Sequence, residues 1–303
     1  MMTYIKRFGF FFLTNIFIVI TISVILSMLG LGRVSPGNLP GLAAFCFIWG
    51  TVGSLISLLM SRMMAKWMLG VKVISPETAG ELSWLVQEVH SISRRAGLST
   101  MPEVGVYESP EVNAFATGPM KSRSLVAFSS GILSTMSRDE LDGVIAHEIS
   151  HITNGDMVTM ALLQGVINAF VMFLARVIAF AITNFGGRSS DREESSSFFG
   201  GGLAYYIIVP VLEIIFSLLG SFVVAYFSRW REFRADAGSA RIVGAPKMIS
   251  ALKKLKSLQE FAEIDKRAPA LATMKINGGV TWMHLRASHP PLDQRILALT
   301  MLR

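Results

Sequence analysis

The chain has 303 residues, 51% of them apolar and only 16% charged, with a mean hydropathy of +0.50; soluble domains carry roughly 25% charge, which argues against a purely soluble fold. A lone cysteine, Cys46, excludes an intrachain disulfide framework and a cysteine-built zinc cluster, so any metal must be held by His and carboxylate. The net charge of +7 is spread over 28 Lys and Arg without one basic block; no nucleic acid is expected as a partner, and the positive balance reads as membrane topology.

A bilayer core about 30 Å thick takes roughly 20 helical residues, so apolar stretches of that length are predicted spans. Four occur, at 8–31, 39–61, 157–185 and 203–227. The first follows Lys6 and Arg7 and lacks a small-residue cleavage pattern, which predicts an uncleaved anchor. The third contains Arg176 and the fourth Glu213, each expensive in lipid. Two readings are open for them: an ion pair or polar lining between helices, or separate accommodation, with Arg176 snorkelling to the far interface and Glu213 in a recess. The second is the expectation.

Lys6, Arg7, Arg62, Lys66, Lys72, Arg229, Arg231 and Arg234 flank the spans on one side and only Arg33 lies in the short first loop, which predicts both termini in the cytoplasm. The expected organisation is a pair of spans in 1–61, a cytoplasmic part in 62–156, a hairpin of spans in 157–227 with an outer polar linker at 186–202, and a second cytoplasmic part in 228–303. The lipid bilayer is the first partner. The fold class is a mainly α integral membrane protein carrying a small antiparallel sheet.

In the first cytoplasmic stretch, 76–96 reads as an amphipathic helix, with Ser75 and Pro76 as its start, Leu82, Leu85, Val86 and Val89 on one face, and Gly97 at its end. From 102 to 130, short runs around Val104, around 112–117 and at 125–128 are separated by Ser-Pro and Gly-Pro turns, which predicts the antiparallel strands. Ser137 and Glu140 form a capping-box pattern opening the next helix.

That helix carries His147-Glu148-Ile149-Ser150-His151. Histidines four residues apart stand on one helical face and can reach one zinc ion, with Glu148 beside the open coordination position. A catalytic zinc takes three protein ligands. The run 232–236, directly after the fourth apolar stretch, returns to the same membrane face after two spans; Glu232 is the candidate third ligand and Asp236, on the same helical face, the candidate partner of a histidine's far nitrogen. An ordinary charged juxtamembrane helix is the plain alternative for that run. Together the His-Glu-x-x-His helix and Glu232 describe a zincin of the gluzincin type with one Zn2+ per chain.

The pair of N-terminal spans, the run 112–117, His147–His151 followed by 154–156, the run 229–236 and the Ser-His-Pro-Pro at 288–291 appear in the order found in HtpX-type membrane zinc endopeptidases, which the whole chain resembles. That family shares its peptidase class with the CAAX prenyl endoproteases. The resemblance implies zinc on His147, His151 and Glu232, Glu148 as general base, and Asn113, Ala114, Phe115 and Ala116 as an edge strand receiving extended substrate. It implies His289 as a donor to the tetrahedral oxyanion, against a loop-packing histidine as the plain reading. It also implies proteolytic quality control of misfolded or damaged membrane proteins. A prenyl-protein endopeptidase and a non-cutting zinc-dependent membrane adaptor are the rivals. Ser150 stands where glycine is common in the wider family.

Overall fold

The computed structural model describes residues 39–185, 197–265 and 289–302; the predicted span at 8–31 and most of the linker lie outside them. The chain divides into two compact units, one from Met1–Ile56 and Ala161–Val224, the other from Ser57–Met160 and Ala225–Arg303.

Among the described residues three helices are long and apolar enough to cross a membrane: α1 (Leu39–Met68), α5 (Asp156–Phe185) and α6 (Ser197–Val243). Within the first unit α1 and α5 approach closely because small residues meet there. A Cβ on Gly50 would stand 2.4 Å from the backbone of Ala169, and one on Gly165 would stand 3.0 Å from the Cα of Thr51. Without a hydrophobic driving force in lipid, such close backbone packing is a main source of helix association. Leu42, Cys46 and Met172 are buried together in the same unit.

The two charges in these segments meet. Arg176 Nη1 donates to Glu213 Oε1 at 2.8 Å, and both side chains are buried. The expectation of separate accommodation is therefore corrected to the ion pair. Each charge taken alone calls for an aqueous outlet, whereas facing each other from α5 and α6 they supply one another's counter-charge.

The second unit is built around a four-stranded sheet of β1 (Lys72–Ile74), β2 (Glu103–Tyr107), β3 (Ala114–Met120) and β4 (Arg123–Ser129), in the order β1-β2-β4-β3. The sheet is mixed, not antiparallel as expected, because β2 and β4 run parallel. The segment after β2 does not turn back on it. Ser109 O accepts from Gly131 N at 2.9 Å, Ser129 Oγ donates to Glu111 O at 2.6 Å, and Ser129 N donates to Asn113 O at 3.0 Å, so the chain is pinned to the end of β4 and β4 enters between β2 and β3. The strand at 112–117 is shifted accordingly to begin at Ala114.

The amphipathic helix of the first cytoplasmic stretch, α2 (Ser83–Arg95), starts seven residues later than expected. Ser75 and Thr78 tie a turn instead, with Ser75 N donating to Thr78 Oγ1 at 3.0 Å, and Gly80 takes a left-handed φ of 52° that interrupts any continuous helix. Its face bearing Leu85, Val86, Val89 and Ile92 joins Val104, Val126 and Phe128 of the sheet and Leu141, Ile145, Ile149 and Ile152 of α4 (Arg138–Asn154) in the main core. Between β4 and α4 lies a short helix, α3 (Ser130–Thr135). Helix α4 opens with the expected capping box, Ser137 N donating to Glu140 Oε2 at 2.8 Å, and ends at Gly155, whose φ of 70° favours glycine. Helices α7 (Ala245–Asp265) and α8 (Leu292–Met301) complete the unit, with Met248, Leu252 and Leu299 forming a second small core.

Candidate metal centre

Helices α4 and α6 carry the candidate ligands and cross tightly at Gly238, where a Cβ would lie 2.5 Å from Ser150 Oγ. Gly143 lets α7 close on α4 in the same way, since a Cβ there would lie 2.8 Å from the Lys247 carbonyl. The serine at the position where glycine is common in the wider family is thus accommodated by a glycine opposite it. Ser239 Oγ donates to Gly143 O at 2.9 Å and adds a bond to the same crossing.

At that crossing the Nε2 atoms of His147 and His151 stand 3.1 Å apart. Glu232 brings Oε2 to 3.5 Å from His147 Nε2 and Oε1 to 3.4 Å from His151 Nε2. All three side chains are buried, and they are the group of metal-capable side chains found among the described residues. Behind the imidazoles, His147 Nδ1 donates to Asp236 Oδ1 at 2.9 Å and His151 Nδ1 to Asp156 Oδ2 at 2.6 Å. Carboxylates on both far nitrogens select the tautomer whose Nε2 carries a lone pair, so three acceptors face one another.

Such an arrangement calls for a cation. Burial alone would depress the His147 imidazole, but its hydrogen bonds to Asp236 and Glu232 outweigh that and push it up to about 9. His151 moves in the same direction: burial opposes the charge, and bonds to Asp156 and Glu232 prevail. A metal ion satisfies the group better than shared protons, since the buried Oε1 of Glu232 has no closer partner than His151 Nε2 at 3.4 Å. Ligand atoms about 2.0–2.1 Å from a tetrahedral zinc lie about 3.3 Å apart, which the separations here match.

Glu148, half-buried, follows His147 on the same helix. His289 Nδ1 donates to Glu232 Oε2 at 2.9 Å from a largely exposed ring, so this predicted site residue meets the centre through the third carboxylate. Ala114, Phe115 and Ala116 lie on β3, an edge strand of the sheet, while Asn113 just precedes it, with its N–H donating to Ser129 Oγ at 3.1 Å. His90, given no role in the sequence reading, faces the Pro102 carbonyl at 3.2 Å and is absent from the centre.

Two participants escaped the sequence reading. Asp156 was legible only as part of a motif, although it sits five residues after His151 and just past a helix-ending glycine. Arg295, on α8, is buried and grips Asp236 with two bonds, Nε to Oδ2 at 2.7 Å and Nη2 to Oδ1 at 2.6 Å, with Nη1 3.7 Å from Glu232 Oε2. In sequence it is one more arginine of an amphipathic terminal helix.

A histidine pair four residues apart, a glutamate between them, a carboxylate from a second helix and apolar helices of spanning length together define a membrane metallopeptidase. Residues 79–303 match peptidase family M48, and the chain belongs to that family. It is 47% identical over 302 residues to a Protease HtpX homolog of Methylacidiphilum infernorum, covering 97% of this chain and 98% of that one. To Protease HtpX of Aeromonas hydrophila subsp. hydrophila it is 48% identical over 295 residues, covering 97% and 99%. Among solved structures, the crystal structure of S. mikatae Ste24p is similar in fold, with a TM-score of 0.56 at 18% identity over 92% of this chain and 66% of that one.

Proposed function

We propose that this metallopeptidase is a zinc-dependent endopeptidase of the zincin type, seated in the bacterial cytoplasmic membrane with its catalytic unit on the cytoplasmic side, and that it cuts misfolded or damaged membrane proteins. The observation that carries the reading is the convergence of His147, His151 and Glu232 within 3.1 to 3.5 Å, with Glu148 one residue beyond the first histidine. Bound zinc would supply Lewis acidity, polarising a peptide carbonyl and lowering the pKa of water toward about 7. Glu148 takes the proton from the attacking water and delivers it to the leaving amine. Asp236 and Asp156 hold the two imidazoles in the ligating tautomer.

The edge strand supports the substrate class. An extended segment added beside Ala114, Phe115 and Ala116 is aligned through its main chain, a mode that asks for an unfolded stretch and little sequence. Asn113 marks the strand's entry. His289 is the candidate donor to the oxyanion: its Nδ1 is engaged by Glu232, which leaves Nε2 for that role. The fold likeness to Ste24p, at 18% identity, carries no preference for prenylated substrates.

The test is proteolysis of an unfolded protein by the full-length, zinc-loaded chain beside its Glu148→Gln form. Glu148→Gln is expected to keep one zinc and stop cutting, whereas His147→Ala, His151→Ala and Glu232→Ala lose zinc itself. Undiminished turnover in Glu148→Gln would remove that residue from the mechanism, and a zinc-loaded chain that binds but never cuts would favour the adaptor reading.

A further inference from the structure

Beside the contact of Ser150 with Gly238, a cleft of about 670 Å³ is lined by three arginines: Arg95 at the end of α2, and Arg234 and Arg241 on α6. Asn154 and Gly238 complete much of its wall, and among the described residues no carboxylate lines it. Among the described residues the nearest acid to Arg95 is Glu88 at 4.0 Å, and Arg234 and Arg241 enter no ion pair or hydrogen bond. Arginines near helix C-termini often cap the last carbonyls, but these do not; the end of α4 is served by Lys121, whose Nζ donates to Thr153 O at 2.6 Å.

Among the described residues only Arg95 of the three has a counter-charge, the distant Glu88 at 4.0 Å, so the guanidiniums lining the cleft repel each other and a shared anion removes that repulsion. The chemistry selects phosphate, because the planar fork of arginine matches two phosphate oxygens at once. The cleft's hydroxyls are already committed, Ser150 Oγ to Ala146 O at 2.7 Å and Thr153 Oγ1 to Ser150 O at 3.0 Å, which leaves recognition to the arginines and the Asn154 amide.

The aromatic residues beside the cleft indicate where the phosphate comes from. Trp230 stacks against Arg234, whose Cζ lies 4.7 Å from the ring centroid. Trp230 is 51% exposed and Tyr226 62%, with Phe227 exposed beside them, at the end of an apolar stretch of spanning length. Exposed aromatics at such a position mark the headgroup level of a bilayer. At 1.5 Å per residue, Arg234 lies about 6 Å beyond Trp230 along α6, within a long side chain's reach of the headgroup level that Trp230 marks.

We propose that this cleft is a phosphate-binding site that takes the headgroup of an anionic phospholipid. It is independent of the metal chemistry and draws only on residues outside the catalytic set.

The test titrates the full-length protein in non-ionic detergent, at constant ionic strength, with dihexanoyl-phosphatidylglycerol, dihexanoyl-phosphatidylcholine and inorganic phosphate, followed by tryptophan fluorescence. Phosphatidylglycerol is expected to bind saturably, and Arg241→Gln to weaken it about tenfold, the loss of one charge-assisted contact. Arg241→Glu should abolish the saturable signal and Arg241→Lys should fall between; Arg241 is exposed, so these variants keep the fold. Inorganic phosphate that binds as tightly, with the same response to the variants, would uphold the phosphate site and reject the membrane as its source. Non-saturating phosphatidylglycerol partition, equal in wild type and Arg241→Glu, would overturn the proposal.

Discussion

Arg295 closes both carboxylate oxygens of Asp236 in a bidentate pair, at 2.6 and 2.7 Å, while Asp236 accepts a third bond from His147 Nδ1. The last helix of the chain thereby reaches the metal centre through a carboxylate. Both partners are buried, so removing one strands the other's charge away from water. Arg295→Ala is expected to lose about 3–5 kcal/mol of stability, read from the denaturant midpoint of the metal-free protein, and Arg295→Lys, which keeps the charge but not the fork, to fall between. An unchanged midpoint in Arg295→Ala would show that the pair contributes nothing net.

The contact of Gly238 with Ser150 predicts a coupled pair. Gly238→Ala places a methyl 2.5 Å from Ser150 Oγ and 2.8 Å from its Cβ, and forces α4 and α6 apart. The expected loss is about 1–3 kcal/mol, as for other overpacked contacts. Because the clash is with the side chain of Ser150, Ser150→Gly should relieve it, making the double variant more stable than the sum of the single effects by about 1 kcal/mol or more. Strict additivity in a double-mutant cycle would place the strain elsewhere.

What could be read from sequence was what local spacing or hydropathy encodes. The i, i+4 histidines, the capping box at Ser137 and Glu140 and the helix end at Gly155 are all decided within one or two turns, and the structure carries each. Glu232 comes near the histidines because an apolar stretch of countable length precedes it. The parallel pairing of β2 with β4 is decided by hydrogen bonds from Ser129 and Gly131 to the segment before β3, which no strand pattern announces. One clue was present: 125–128 is continuously apolar rather than alternating, as befits a central strand buried on both faces. Arg295 and Asp236 are 59 residues apart, and Arg176 and Glu213 are 37 apart. Pairings at that distance depend on helix rotation, which composition does not report.

Breaking the Arg176–Glu213 pair one side at a time should be worse than removing it altogether. Arg176→Met or Glu213→Leu alone leaves a charge among apolar helices and is expected to destabilise by about 3–5 kcal/mol, while the double variant loses less than either. Unfolding in mixed micelles with increasing anionic detergent reads the difference. Equal, additive losses would show that the two charges do not depend on each other.

The remaining prediction concerns sidedness, on which the shared compartment of His151 and Glu232 rests. Two apolar segments, each long enough for a core of about 30 Å, separate these residues, and positive residues gather at one set of ends. Cysteine labelling reads this cleanly, since the native Cys46 is buried and is removed as Cys46→Ala. In that background Ser195→Cys, in the linker outside the described residues, is expected to react with an impermeant maleimide in intact cells, and Lys253→Cys, at an exposed position on α7, only after lysis. The paired charges favour full insertion, because Arg176 and Glu213 enter lipid as a neutral couple rather than as two isolated ions. Should Ser195→Cys stay unlabelled in intact cells and react on lysis, α5 and the apolar part of α6 form a hairpin that does not cross, and the two halves of the metal site share a compartment for a different reason.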